Sequence, residues 1–308
     1  MTLRWITSSL LGCILAFGVV PALQAGDDEA AQRYYEQARR ETDPSRQLQL
    51  LNQSVAAQPT SVAWLAIGRI GLQARQIDLA EAAFKSAYNL ADSDPDRVKA
   101  LSGLAQVYFD KGDLSQARML AKAATERAKL AGLAPPDALT QLTGQIAAAR
   151  AKLPISASRI VAELKPGDAT KDYNVVPSIE LNIHFAYDRA DLDEEGKKEV
   201  EQLAQAFQTL QQTGDLQFAR LIGHTDEQGT KEYNQTLSEC RASTVQREVT
   251  RRVPALAGKL CAEGKGKTEL LFTERSPEND RLNRRVEIKL EPCSAGPVPD
   301  CKTVGKGK

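Results

Sequence analysis

Histidine is scarce in this 308-residue chain, and a net charge is lacking altogether. Forty acidic side chains balance forty basic ones. Such a balance gives no overall attraction for nucleic acid or for anionic lipid, so neither is expected as a partner. The two histidines, His184 and His224, stand apart, and no pair of cysteines has the spacing of zinc ligands. The sequence therefore predicts no metal site, and we expect no cofactor.

Long apolar runs are equally rare, and the clearest one lies at the amino terminus. Arg4 precedes an apolar stretch, Trp5 to Val20, in the arrangement of an export signal. This stretch is too short and too isolated to indicate a membrane span. We therefore expect a signal peptide over residues 1–25, cleaved after Ala25, with cleavage after Ala22 as the alternative.

The same segment contains a second processing pattern. Leu10-Leu11-Gly12-Cys13 has the form of a lipoprotein box, so acylation of Cys13 and association with the outer membrane remain open. Against acylation, the apolar run continues through Ile14 to Val20, where a mature lipoprotein usually becomes polar.

Four cysteines remain in the part of the chain that would be exported. An even number in an oxidising compartment favours two disulfides, for which three connectivities exist. The shortest loop joins Cys293 to Cys301, which leaves Cys240 to pair with Cys261. We favour that arrangement from the sequence.

Residues 28–151 are rich in alanine, glutamine, leucine and arginine and are internally repetitive. Small and large side chains alternate in a pattern that resembles tetratricopeptide repeats, in which small residues let paired helices approach closely. The residues that carry the pattern are Trp64, Ile67, Gly68, Ala80, Phe84 and Ala87, and then Leu101, Leu104, Ala105, Tyr108, Gly112, Ala117, Ala121 and Ala124. The resemblance implies a concave surface for an unidentified protein partner; a generic helical bundle is the alternative.

Residues 152–177 contain several prolines among polar residues and predict a linker. A short strand over Arg159 to Leu164 is expected within it. Beyond the linker, strands and helices alternate, which predicts crossovers and a mixed sheet with helices on one face. The predicted order is strand 179–185, helix 193–210, strand 216–223, helix 234–251, strand 260–264 and strand 285–290. The chain as a whole is therefore expected to be α+β, with the second domain over residues 178–292 and a tail over 293–308.

One stretch of the second domain has an unusual polarity. The apolar run Phe218 to Ile222 is followed by a glycine-containing polar turn and then by a helix whose buried stripe includes Arg241. A guanidinium on an apolar face is costly unless it is paired or points into a polar site. Asp226, at the end of the strand, is the acid that chain geometry can bring close. The two residues form either a buried ion pair or a receptor for a small zwitterion, with Asp226 binding an ammonium and Arg241 a carboxylate.

The same residues resemble the signature of the OmpA-like peptidoglycan-binding domain. The turn of that family matches Gly223, Thr225, Asp226 and Gly229, and its helix matches Asn234, Leu237, Ser238, Arg241, Ala242 and Val245. The resemblance extends over about residues 175–292. It implies that Asp226 and Arg241 hold the diaminopimelate of a peptidoglycan stem peptide. It also implies lesser contacts from Thr225, Asn234 and Asp188, the last at a position where the family often has asparagine, and supporting roles for Leu237, Arg284 and Arg285.

These observations predict a non-catalytic periplasmic tether that binds peptidoglycan through one domain and a protein through the other. The alternative is a structural or secretion-assembly subunit whose second domain packs against protein. Ser238, His224 and Asp226 are the residue types of a hydrolase triad, but no nucleophile elbow surrounds Ser238. We therefore do not expect an enzyme.

Overall fold

The computed structural model describes residues 27–165, 173, 175–186, 188–293, 301 and 304. The predicted signal peptide, Cys13, Pro166 and Gly167 of the linker and most of the tail lie outside these residues. The described part contains eleven α-helices and one four-stranded sheet. The helices dominate the first half and the sheet lies in the second half, so the predicted α+β class is confirmed.

The first domain consists of helical hairpins joined by tight turns. Several helices begin at an Asp, Ser or Thr whose side chain accepts from a backbone N–H in the first turn, which fixes the helix starts. Three hairpins and a seventh helix result, as the spacing of small residues predicts. The bounds are α1 Asp28–Arg40, α2 Pro44–Ala57, α3 Ser61–Gln73, α4 Ile77–Leu90, α5 Asp94–Asp110, α6 Leu114–Leu130 and α7 Asp137–Ala151.

The small residues of the repeat pattern lie where helices touch. Phe84 is buried on α4 between Gly68 of α3 and Gly103 of α5, and a Cβ on either glycine would overlap its ring. Ala80 and Ala117 are fully buried at the matching positions of successive hairpins. Close helix approach around one large aromatic side chain therefore holds adjacent hairpins together.

The segment after α7 differs from the sequence prediction. Residues Ala157–Leu164 form a helix, α8, and not the expected strand. Ser156 caps this helix by accepting from the backbone N–H of Arg159. Ile160 and Leu164, four residues apart, are buried in the core of the second domain. The prediction was wrong because so short an apolar pattern does not separate a strand from one helical face.

The second domain is built on a mixed sheet with strand order β1-β4-β2-β3. Strands β2 and β3 are parallel, whereas β4 runs antiparallel to both β1 and β2. The predicted order of elements holds and β3 has the predicted bounds, but the other three strands are shorter than predicted and a short helix before the last strand was not anticipated. The bounds are β1 Ser178–Leu181, α9 Glu194–Gln212, β2 Ala219–Gly223, α10 Lys231–Arg252, β3 Leu260–Gly264, α11 Pro277–Asn283 and β4 Val286–Lys289.

One face of the sheet is covered by the domain's own helices. Leu221 and Ile288 of the sheet share a core with Phe207 of α9 and Val245 of α10. Gly223 and Gly264 end the parallel strands directly against α10. A Cβ on either residue would overlap Ser238, so the glycines set how closely the sheet approaches this helix.

The opposite face of the sheet is polar and meets α6 of the first domain. Arg118 donates to the carbonyl of Ser178 in β1, and Lys122 forms an ion pair with Glu287 in β4. Lys289 of β4 forms an ion pair with Glu126 of α6 at 3.2 Å. The alternation of charged and apolar residues along β4 thus directs charges to one domain and apolar side chains to the other.

Two disulfides connect the end of the chain to this domain. Cys240 on α10 pairs with Cys301, and Cys261 on β3 pairs with Cys293. All four predicted cysteines are used, but the pairing favoured from the sequence was wrong. Cys293 follows β4 closely and lies beside β3, so its nearest cysteine in space is not its nearest in sequence.

Candidate functional site

The candidate site lies where β2 ends and α10 begins. Gly223 closes the strand, and Gly229 takes a φ of 91°, which favours glycine, so that the chain can turn into the helix. Thr230 caps α10 by accepting from the N–H of Tyr233. The turn therefore presents its polar side chains beside the first turns of α10, as the signature predicts.

Arg241 is the buried cation of this site, with only 7% of its surface exposed. Its Nε donates to the carbonyl of Arg189 at 3.1 Å, and its guanidinium lies 5.1 Å from the centre of the Phe185 ring. Burial lowers the pKa of Arg241 to about 10; Arg284 acts in the same direction and Asp226 opposes it. The side chain therefore stays charged near neutral pH. No carboxylate lies within ion-pair distance of it among the described residues.

Asp226 is buried on the facing loop, but it does not pair directly with Arg241. Its Oδ2 accepts from Arg284 at 2.6 Å, and its Oδ1 accepts from the backbone N–H of Gln228 at 3.1 Å. The Arg284 side chain is 41% exposed, so this partner lies at the rim of the site. The arrangement thus differs from the simple buried Asp–Arg pair that was one of the two interpretations of the sequence.

The residues predicted to make lesser contacts lie in this turn or beside it. Thr225 and Asn234 are buried and stabilise the loop, since the Thr225 hydroxyl donates to the carbonyl of Asp226 and the Asn234 amide donates to the carbonyl of Gln228. Asp188 has a φ of 54° and accepts from the Tyr233 hydroxyl at 2.6 Å. These residues position the loop and its rim more than they present free polar groups.

The two arginines predicted as supporting residues separate in the structure. Arg284 lies in the site, whereas Arg285 is buried on the opposite face of the sheet, 3.7 Å from Glu180. The side chains of adjacent residues at the start of a strand point to opposite faces of the sheet, so only one of the two arginines can lie in the site. Leu237 is buried on α10, one helical turn before Arg241.

The sequence does not predict α11, which lies beside the candidate site. An open depression of about 510 Å³ lies beside Arg284 and Gln228 and is bordered by Arg275 and Asp280. The Gln228 amide donates to Asp280 at 3.1 Å and so joins the turn to α11. Ser276, which caps α11 by accepting from Asn279 N–H, followed by Pro277, was the available signal for this short helix.

The residues of the hypothetical hydrolase triad do not meet. The Ser238 hydroxyl donates to the carbonyl of Gln235 and accepts from the N–H of Gly266, so it serves the packing of β3 against α10. His224 is buried on the other face of the sheet, and neither of its ring nitrogens has a hydrogen-bond partner. Burial, reinforced by Arg285, lowers the pKa of His224 to about 2. Nothing in the local sequence around His224 predicts this burial.

Comparison with known proteins agrees with the geometry. Residues 184–284 match the OmpA family model, so this part of the chain is an OmpA family domain. The chain is 36% identical over 107 residues to the peptidoglycan-associated lipoprotein of Pseudomonas aeruginosa, covering 35% of this chain and 60% of that protein. It is 33% identical over 106 residues to outer membrane protein A of Bordetella avium, covering 34% and 52%. It therefore spans less than two thirds of either relative.

The chain is also similar to part of a solved structure. The peptidoglycan-associated lipoprotein from Burkholderia pseudomallei is 25% identical in sequence, with 35% of this chain and 86% of that chain covered and a TM-score of 0.31. These relatives are named as outer-membrane or peptidoglycan-associated proteins. In the part of this chain that the structure describes, no helix has the length and apolarity needed to cross a membrane.

Proposed function

We propose that this protein is a non-catalytic tether whose OmpA family domain binds the diaminopimelate of a peptidoglycan stem peptide in the periplasm. The observation that carries the proposal is Arg241, a charged and buried guanidinium without an acidic partner among the described residues. Leaving a buried charge unpaired is costly, and a ligand carboxylate would supply the missing partner. The names of the relatives support peptidoglycan as the source of that ligand.

The site offers complementary groups for both ends of a zwitterion. The guanidinium of Arg241 uses Nε for the Arg189 carbonyl, which leaves its terminal nitrogens for a carboxylate. Asp226 accepts from Arg284, whose half-exposed side chain lies at the rim of the site. This side chain can move aside when a ligand ammonium binds to Asp226. Each charge-assisted hydrogen bond contributes about 1.5–3 kcal/mol, so losing one side should weaken binding by about 10- to 100-fold.

Co-sedimentation with purified peptidoglycan sacculi tests this function. Wild type should pellet, whereas Asp226→Asn and Arg241→Lys should remain in solution while keeping the wild-type thermal melt. Arg251→Ala, an exposed change at the end of the same helix, is the matched control and should pellet normally. If wild type stays soluble, or if Arg241→Lys pellets as well as wild type, the site does not hold a carboxylate. The alternative of a subunit that packs against protein would then be favoured.

We also propose that the helical domain binds a protein partner. Several large apolar side chains of this domain are exposed, including Val62, Leu90 and Leu133, and Leu130 is 89% exposed at the end of α6. Replacing Leu130 with lysine should abolish cross-linking to the partner in intact cells and leave sedimentation with sacculi unchanged. Unchanged cross-linking would remove this surface from the proposal.

A further inference from the structure

His224, Glu269 and Glu287 come together on the polar face of the sheet, away from the proposed wall-binding site. One ligand atom from each residue lies within 4.8 Å of the others. His224 follows β2, Glu287 lies in β4, and Glu269 lies in the segment between β3 and α11. The pairing of β2 with β4 places the first two side by side, and Arg285 holds the third segment by donating to the Glu269 carbonyl at 3.1 Å.

The histidine is the unusual member of this cluster. His224 is 1% exposed, and neither Nδ1 nor Nε2 has a hydrogen-bond partner. Buried polar groups normally have a hydrogen-bond partner, and leaving one without a partner is unfavourable. Its Nε2 points to Oε2 of Glu287 at 3.6 Å, which is too long for a hydrogen bond. That separation is close to the roughly 3.4 Å between two ligands of a tetrahedral zinc ion with bonds of about 2.0–2.1 Å.

We propose that His224, Glu269 and Glu287 form a site for a divalent transition metal, with Zn²⁺ as the ion whose chemistry fits best. A neutral imidazole and two carboxylates are a donor set that Zn²⁺ accepts, and a water molecule would complete four-fold coordination. The two carboxylates would balance the charge of the ion. Glu269 and Glu287 line a cleft of about 710 Å³ between the sheet and helices α6 and α7, which gives the ion access.

Binding of the metal would change the contact between the two domains. Glu287 forms an ion pair with Lys122 of α6, and Glu269 lies 3.5 Å from Lys129 of the same helix. A metal bound by these carboxylates replaces both lysines as their counter-charge. The metal and α6 therefore compete for the same two side chains.

Titration of the mature, untagged full chain with Zn²⁺ by calorimetry, and with Co²⁺ by visible absorption, tests the site. Wild type should bind one ion per chain. Glu269→Gln, a change in a side chain that is 39% exposed, should weaken binding at least about tenfold, and His224→Gln should abolish it. His184→Gln is the matched control because it removes the other histidine, which bonds to Glu199; it should bind as wild type does.

A variant that should raise the affinity for Zn²⁺, and not lower it, distinguishes the proposed site from non-specific binding at the surface. Lys122→Met removes one of the two lysines that pair with the Glu287 carboxylate, the other being Lys289 at 3.9 Å, and should tighten Zn²⁺ binding if Glu287 is a ligand. Weaker or unchanged binding in this variant would overturn the assignment of Glu287. The site as a whole would be overturned if wild type binds no ion, or if folded Glu269→Gln binds as well as wild type. Such results would leave sedimentation with sacculi unaffected, so they would not bear on the proposed wall-binding function.

Discussion

The disulfide between Cys240 and Cys301 makes a quantitative prediction because it joins the helix of the candidate site to the end of the chain. Its partners are 61 residues apart in sequence. A cross-link that closes a loop of this length restricts the unfolded chain by about 4 kcal/mol in the chain-entropy model. Replacing both cysteines by serine should therefore lower the free energy of unfolding by up to about 4 kcal/mol. For a domain of this size, that loss corresponds to a fall of roughly 15 °C in melting temperature.

The pairing itself is tested by comparing single and double variants. If Cys240 and Cys301 are partners, Cys240→Ser, Cys301→Ser and the double variant should lose the same stability, because the second change removes nothing further. Cys240→Ser combined with Cys261→Ser should lose more, since it opens both bonds. Differential scanning calorimetry under non-reducing conditions measures these losses. Mass spectrometry of a non-reduced digest identifies the linked peptides directly.

One outcome would refute this reasoning. If the digest yields a peptide linking Cys293 to Cys301, the disulfide closes a loop within the tail and does not connect the tail to α10. Cys240→Ser and Cys301→Ser would then differ in stability, and their double variant would lose the sum of both. Sedimentation with sacculi serves as the functional control, because Arg241 is held by the Arg189 carbonyl and the Phe185 ring and not by the neighbouring disulfide.

Two further predictions concern the two faces of the sheet. Gly223→Ala should lower the free energy of unfolding by about 1–3 kcal/mol in a denaturant titration, because the new methyl group overlaps the Ser238 carbonyl; an unchanged midpoint would contradict the close approach. On the other face, burial would raise the pKa of Glu180, but Arg285, Arg118 and Lys122 hold it at about 2. This depressed pKa gives stability that is complete above the unfolded value of about 4.5 and is lost as the pH falls toward 2, by at most about 3 kcal/mol. Thermal melts between pH 6 and pH 2 (about the range of this titration) should therefore show that Glu180→Gln loses less stability on acidification than wild type does. An identical loss of stability would contradict the stabilisation of the Glu180 carboxylate by these three cations.

Much of the fold could be predicted because it depends on patterns among residues that are close together in the sequence. The alanine and glycine spacing of the first domain predicted its hairpins, since the same small residues recur wherever helices touch. The strand, turn and helix around Asp226 and Arg241 were predicted because a strand, a glycine turn and a helical stripe follow one another directly. These features depend on residues close in sequence.

The remaining features depend on contacts between distant segments. The partner of Asp226 is Arg284, 58 residues away, and nothing in the local pattern around either residue marks that pairing. The disulfides were assigned wrongly for the same reason, since loop length was the available guide and the spatial order β4-β2-β3 was not known. α8 was mistaken for a strand because Ile160 and Leu164 are too few apolar residues to define a period.

The polar face of the sheet meets α6 of the first domain through contacts between residues far apart in the sequence. An isolated OmpA family domain would expose Glu180, Glu287 and Lys289 along one face, and each of these charges has a partner on α6 or within the sheet in the structure. Arg241, on the other side of the sheet, lacks such a partner among the described residues. Because these three charges of the polar face are already paired within the chain, the guanidinium of Arg241 is the charged group to which an external carboxylate would add most under the proposed function.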